Sequence, residues 1–113
     1  MYKGKVLRVI DGDTLEAAIE MWPDITVLAR VRVMGVDCPE TKGKTAREGY
    51  FAKRFTCEEV QDMECSFTVF GKDSFGRVIC SVKYLGKDLA TELIKHGYGT
   101  EYRSIKATSG PRT

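Results

Sequence analysis

Five ionisable side chains have the types and spacing to do chemistry on a phosphate: Asp13, Arg32, Asp37, Glu40 and Arg77. Hard divalent cations such as calcium choose oxygen ligands. Asp13, Asp37 and a backbone carbonyl from the Asp37-Cys38 turn could hold one such ion and leave positions for water and a substrate phosphate. Glu40 lies three residues beyond Asp37, where it could act as general base on a water beside the ion. Arg32 and Arg77 could grip the phosphate and neutralise the charge that builds on its oxygens in the transition state. Water attacks directly in this scheme, so no nucleophilic side chain is needed, and no Ser/His/Asp arrangement is evident.

Most of these groups sit in one stretch, Val31 to Thr41, which begins as an apolar strand carrying an arginine and ends in a turn with carboxylates on both sides of Pro39. The elements around it follow from periodicity. Lys5 to Ile10 and Thr14 to Ile19 read as a hairpin through Asp11-Gly12-Asp13, residues that tolerate unusual backbone angles. Ile25 to Met34 is a strand with Val27, Ala29, Val31 and Val33 on one face. Arg30 and Arg32 share the other face with Leu28 and Met34, which implies partial burial and an anionic partner. Thr45 and Glu48 match a capping box, opening a helix to about Glu59 with Phe51 and Phe55 on its apolar face and Ala52 and Val60 near it. Cys65 to Phe70 and Val78 to Tyr84 are strands around a turn-rich loop, Gly71 to Gly76. Asp88 caps a final helix, Leu89 to His96, with Lys95 and His96 at its negative end and Gly97 as its stop.

Five short strands with a helix between the third and fourth is the element order of an OB-fold. The expected architecture is mainly β with helices (α+β), a five-stranded OB-fold barrel flanked by two to three α-helices. One domain covers residues 1–103, and the polar segment 104–113 is expected to be a mobile tail.

Composition bounds the rest. With 42% hydrophobic and 30% charged residues, the chain has the make-up of an ordinary globular protein, and no apolar run is long enough to span a membrane. A monomer with no membrane partner is expected. The formal net charge of +2 does not announce nucleic acid, but Lys42, Lys44 and Arg47 cluster just after Glu40. The four cysteines lack C-x-x-C pairing, which argues against zinc; Cys57, Cys65 and Cys80, read as small buried hydrophobes, lean towards a reducing compartment. The first residues lack the apolar core of a signal peptide. Gly43-Lys44-Thr45 resembles the end of a P-loop, but the motif requires glycine where Cys38 stands.

Three ordered motifs carry a resemblance. Val9 to Thr14, Arg32 to Thr41 and Asp73 to Arg77 closely resemble the staphylococcal nuclease family, over nearly the whole chain. The resemblance implies a five-stranded OB barrel and a calcium-dependent phosphodiesterase that cleaves DNA and RNA, leaving 3′-phosphate ends. It implies one calcium ion on Asp13, Asp37 and the Cys38 carbonyl, Glu40 as general base, and Arg32 and Arg77 on the scissile phosphate. Cys38 stands where the family has threonine, which opens the position to oxidation and altered metal binding. Phe75 replaces a tyrosine and Ser74 a lysine, weakening the grip on a terminal phosphate. Lys42, Lys44 and Arg47 would contact the nucleic-acid backbone, and Phe75 and Tyr102 would meet substrate. Two other readings stay open: a non-catalytic nucleic-acid- or protein-binding module on the same barrel, and an unrelated small barrel whose acids and arginines form surface ion pairs.

Overall fold

The computed structural model describes residues 1–102. The expected tail, 104–113, and the last residue of the expected domain, Arg103, lie outside the described residues. Three long strands come first, β1 (Tyr2–Asp11), β2 (Thr14–Trp22) and β3 (Ile25–Val33), then a short β4 (Val36–Asp37). A 3-10 turn (Gly43–Thr45) leads into α1 (Ala46–Val60). After it come β5 (Glu64–Lys72), β6 (Val78–Tyr84), a short β7 (Lys87–Asp88), α2 (Leu89–Lys95) and β8 (Thr100–Glu101).

The long strands close on themselves. β1 pairs antiparallel with β2 and β5, β2 with β3, and β5 with β6. The ring closes where β3 and β6 run parallel, with Val31 opposite Val78 and Val33 opposite Cys80. This is a closed five-stranded barrel with two α-helices, the expected OB-type α+β fold. Inward-pointing residues of every strand fill it: Val6, Leu15, Val31, Val33, Phe67 and Val82 are fully buried, and α2 adds Leu89 and Leu93. Only the second half of β3 joins this core. Leu28 is 76% exposed, so the partial burial expected for its face holds at Arg32 and fails at Leu28 and Arg30.

Helix α1 packs by most of the expected face: Ala52 and Val60 are fully buried and Phe55 packs against the core, but Phe51 does not. The buried residues of the helix are Gly49, Ala52, Thr56 and Val60, while Phe51 is 42% exposed. The reason is proximity: a side chain at Gly12 would meet the Ala52 Cβ at 2.8 Å. A helix this close to the β1–β2 turn can present only small residues there. The same contact explains Gly12, which does not take a positive φ; it is glycine for want of space rather than for an unusual backbone angle. Thr56, fully buried, donates its hydroxyl to the Gly12 carbonyl at 2.7 Å.

The capping box does not form. The Thr45 side chain makes no cap hydrogen bond to α1; its hydroxyl donates to the Glu40 carbonyl at 3.1 Å. The cap on α2 does form, with the Thr91 N–H donating to the Asp88 carboxylate at 3.1 Å. His96 lies at the end of α2 beside Glu92, 3.6 Å away. All four cysteines are free.

The Thr56 hydroxyl fastens α1 to the turn that carries Asp13. Thr56→Val keeps the shape but strands a buried carbonyl, so it is expected to destabilise the fold by about 1–3 kcal/mol, measured by denaturant unfolding.

Candidate functional site

Barrel closure sets the site. The start of β2, the end of β3 and the start of β6 meet at one rim, because Thr14 pairs with Arg32 and Val31 pairs with Val78. Asp13 precedes β2 and Arg77 precedes β6, so both arrive beside Arg32. Four of the expected side chains form one chain of contacts. Arg77 Nη1 donates to the Thr14 hydroxyl at 3.4 Å, and that hydroxyl donates to Asp13 Oδ1 at 3.1 Å. Asp13 Oδ2 lies 3.4 Å from Arg32 Nη1, and Arg32 Nη2 lies 3.3 Å from Asp37 Oδ1. The Cys38 N–H donates to Asp13 Oδ2 at 2.8 Å, which ties the turn after β4 into the same network.

Arg32 is held from several sides. Its Nη1 donates to the Val36 carbonyl at 2.8 Å and the Val33 carbonyl at 3.0 Å, and the Tyr102 ring lies over the guanidinium at 5.4 Å. These bonds leave Nε–H and a second Nη2 hydrogen for an anion. Tyr102 was expected to meet substrate; in the structure it meets Arg32. Arg77 is aimed by its own loop. Asp73 accepts from the Phe75 and Arg77 backbone N–H groups, both at 2.9 Å, and from Arg77 Nε at 2.7 Å. Phe75 is 80% exposed and packs over the Arg77 guanidinium at 5.3 Å.

Glu40 is placed through its backbone. The Thr45 hydroxyl holds its carbonyl, and Thr41 donates to Asp11 at 3.0 Å. Any side chain at Gly49 would run into the Glu40 carbonyl and would stand 2.7 Å from the Thr41 nitrogen. Its own carboxylate is exposed and has no hydrogen-bond or ion-pair partner among the described residues. Lys42, Lys44 and Arg47 are likewise exposed, on the 3-10 turn and the first turn of α1 that follow it. Arg30 stays out of the site and pairs with Glu16 on the barrel exterior at 3.2 Å.

The two candidate metal ligands differ in environment. Asp13 is buried, and burial raises its pKa even though Arg32, the Cys38 N–H and the Thr14 hydroxyl pull the other way; Asp37 raises it further. A buried carboxylate still short of positive charge is a setting that a divalent cation completes. The donors are hard oxygens, so Asp13, Asp37 and the Cys38 carbonyl fit a calcium-class ion. Among the described residues no group of three or more His, Cys, Asp or Glu side chains is set to hold a metal. Side chains would therefore supply two carboxylates, with carbonyl, water and substrate oxygens completing the shell. Cys38 is not the exposed thiol that oxidation needs: it is buried, and burial, then Asp13, push its pKa up to about 12.

Sequence reasoning missed Thr14, Asp73 and Gly49. A D-x-x-x-R spacing within a turn-rich loop was the available signal for Asp73. Thr14 closes the Val9 to Thr14 motif without a role assigned to it, and no sequence signal marked Gly49.

Comparison with known proteins agrees with this architecture. The family model described as staphylococcal nuclease homologue matches residues 30–112, so the chain belongs to that family. Asp13 precedes the matched span, and its membership of the site rests on the contacts above. Endonuclease Htp3 of Saprolegnia parasitica is 35% identical over 127 positions, which take in 96% of this chain and 59% of the relative. An uncharacterised protein of Methanocaldococcus jannaschii, MJ1439, is 29% identical over 91% of this chain and 60% of its own. An uncharacterised endonuclease from Escherichia coli is 30% identical over 70% of this chain and 46% of its own. The chain thus spans about 60% of the length of the first two relatives and less of the third.

Two variants test how the site is held. Gly49→Ala is expected to destabilise the fold by about 1–3 kcal/mol through overpacking against Glu40, measured by denaturant unfolding. Asp73 supplies a pH signature. Burial raises its pKa, but bonds from the Arg77 backbone and side chain and the Phe75 N–H outweigh it, leaving the carboxyl below its ordinary value. Its stabilisation is therefore full above the ordinary carboxylate range and is lost as pH falls through the depressed value. Asp73→Asn is expected to lower Tm at neutral pH, with the gap to wild type narrowing below about pH 4.

Proposed function

We propose that the chain is a nuclease that hydrolyses phosphodiester bonds of DNA or RNA with low sequence specificity, requires one calcium ion, and leaves 3′-phosphate ends. The observation that carries this reading is the single contact chain Arg77–Thr14–Asp13–Arg32–Asp37 at one barrel rim. Two relatives are named endonucleases, which supports the same class of activity.

The roles follow from the chemistry. A scissile phosphate lies between the arginines, where the unused N–H groups of Arg32 and Arg77 balance the charge that develops on its oxygens. Asp13, Asp37 and the Cys38 carbonyl would hold calcium, which supplies Lewis-acid polarisation of the phosphate and positions water. Glu40, exposed and without a partner among the described residues, takes a proton from the attacking water. The new P–O bond forms as the bond to the 5′ oxygen breaks. That oxygen takes a proton from solvent, and the phosphate stays on the 3′ side. Lys42, Lys44 and Arg47 are the groups proposed to meet flanking phosphates, so binding is expected to weaken with salt. Tyr102 is assigned instead to holding Arg32.

Cleavage of single-stranded DNA tests the reading. Glu40→Gln is expected to slow the reaction by roughly 10²–10⁴-fold, and Arg77→Ala by roughly 10²–10³-fold. Chelation of calcium should stop it, and readdition should restore it. Binding without turnover would show a binding module instead, and rates unchanged in both variants would overturn the roles given to Glu40 and Arg77.

A further inference from the structure

A cavity of about 490 Å³ opens beside the site, between the first half of α1, the Pro39 turn and the chain that leaves α2. Asp37, Cys38 and Pro39 line it, so the turn that bears the candidate metal ligands is also one of its walls. Two other walls are aromatic, Phe51 and Tyr98. The Tyr98 ring is backed by Phe55 at 4.9 Å, which fixes it as a flat surface. Phe51 is the residue that the expected core face of α1 failed to bury, and the cavity is where it faces. Its polar side chains are Thr45, Glu48, Asp37 and Thr100, and no cation among the described residues lines it.

The cavity's two carboxyl groups, Glu48 and Asp37, accept hydrogen bonds, while the Thr100 hydroxyl can also donate. Thr45 has committed its hydrogen to the Glu40 carbonyl. Glu48, released from the capping box that does not form, has no ion-pair or hydrogen-bond partner among the described residues. A phosphate is repelled by such a lining. A flat apolar group with donors along one edge is accepted by it, and an unstacked nucleobase is such a group. Among the bases, guanine offers adjacent ring and amino N–H donors, which match the two oxygens of one carboxylate.

We propose that this cavity is a base subsite that takes guanine between Phe51 and Tyr98, with the Glu48 carboxylate reading its N–H edge. The subsite rests on the nuclease reading in one respect: its base belongs to a nucleotide flanking the phosphate held by Arg32 and Arg77. It would then give a nuclease of otherwise low specificity a preference for guanine at one flanking position.

The test is titration of the ¹⁵N-labelled chain with guanosine 5′-monophosphate, the other three nucleoside monophosphates and ribose 5-phosphate, followed by NMR. The guanine nucleotide is expected to shift the amides of Glu48, Phe51 and Tyr98 and to bind about tenfold more tightly than the others, the low end of what a bidentate base contact discriminates. Ribose 5-phosphate should leave those amides in place. Glu48 is exposed, so Glu48→Ala keeps the fold and should erase the tenfold preference; Phe51→Ala should weaken all four bases together. Pocket amides unmoved by the guanine nucleotide, equal affinity for all four bases, or an undiminished preference in Glu48→Ala would each overturn the subsite. Wild-type hydrolysis of bis(4-nitrophenyl) phosphate, which has no base, reports separately on the nuclease reading. Its absence would sink that reading while the titration still decides the subsite.

Discussion

The buried contact between Arg32 and Asp13 is the interaction on which the rim of the barrel depends. Both side chains are largely removed from water, at 14% and 9% exposure. Burying two charges costs solvation that their attraction offsets only when other hydrogen bonds complete both groups. Here they do so in part: Asp13 receives the Cys38 N–H and the Thr14 hydroxyl, and Arg32 donates to the carbonyls of Val33 and Val36, while burial still holds the Asp13 pKa above its ordinary value. These partners come from the β1–β2 turn, β3, β4 and the turn that follows. The pair therefore fastens together the elements that carry the proposed chemistry, and losing either member would strand a charge in the interior.

That pair can form only because the barrel closes in a particular way. Parallel pairing of β3 with β6 fixes Arg32 opposite Ile79, which brings the residue just before β6, Arg77, to the same rim. The short pairing of β4 with β8 then sets Asp37 opposite Thr100, and the Tyr102 N–H reaches the Gly35 carbonyl at 3.1 Å. Tyr102 can cover the Arg32 guanidinium because of that register. Long-range strand pairing thus supplies the positioning that a hydrolytic site needs from rigid elements. The arginine loop is the exception, since Asp73 builds it locally from hydrogen bonds within five residues.

Features governed by periodicity could be read from the sequence. The five long strands, both helices and the Asp88 cap all depend on patterns that local residues reveal. The acids and arginines were legible as chemistry because a charge among apolar residues, as at Arg32, is costly unless an oppositely charged group meets it. What escaped was set by close approach. The packed face of α1 takes in Gly49 and Thr56 beside the expected Ala52 and Val60, and neither a glycine nor a threonine announces itself as core beside Phe51 and Phe55. Thr45 matched a capping pattern, yet a tertiary partner, the Glu40 carbonyl, took its hydrogen bond. Two-residue strands such as β4 and β8 are too short to show alternation at all.

Cys38 brings these lines together. As a departure from the family's threonine it suggested altered reactivity, but its surroundings assign it to packing. A side chain at Gly12 or at Gly99 would come within 3.0 Å of its sulfur, so the thiol fills the space between two glycines on different segments. A thiol whose pKa is pushed up to about 12 stays neutral, and beside Asp13 neutrality matters, because a thiolate would add a second buried negative charge. The sulfur acts as an apolar wedge that seats the turn against both glycines. The polar business at Cys38 is conducted by its backbone, through the N–H that holds Asp13. A side chain chosen for volume and a main chain used for binding are separable demands on one position, which is how the turn can tolerate cysteine in place of threonine.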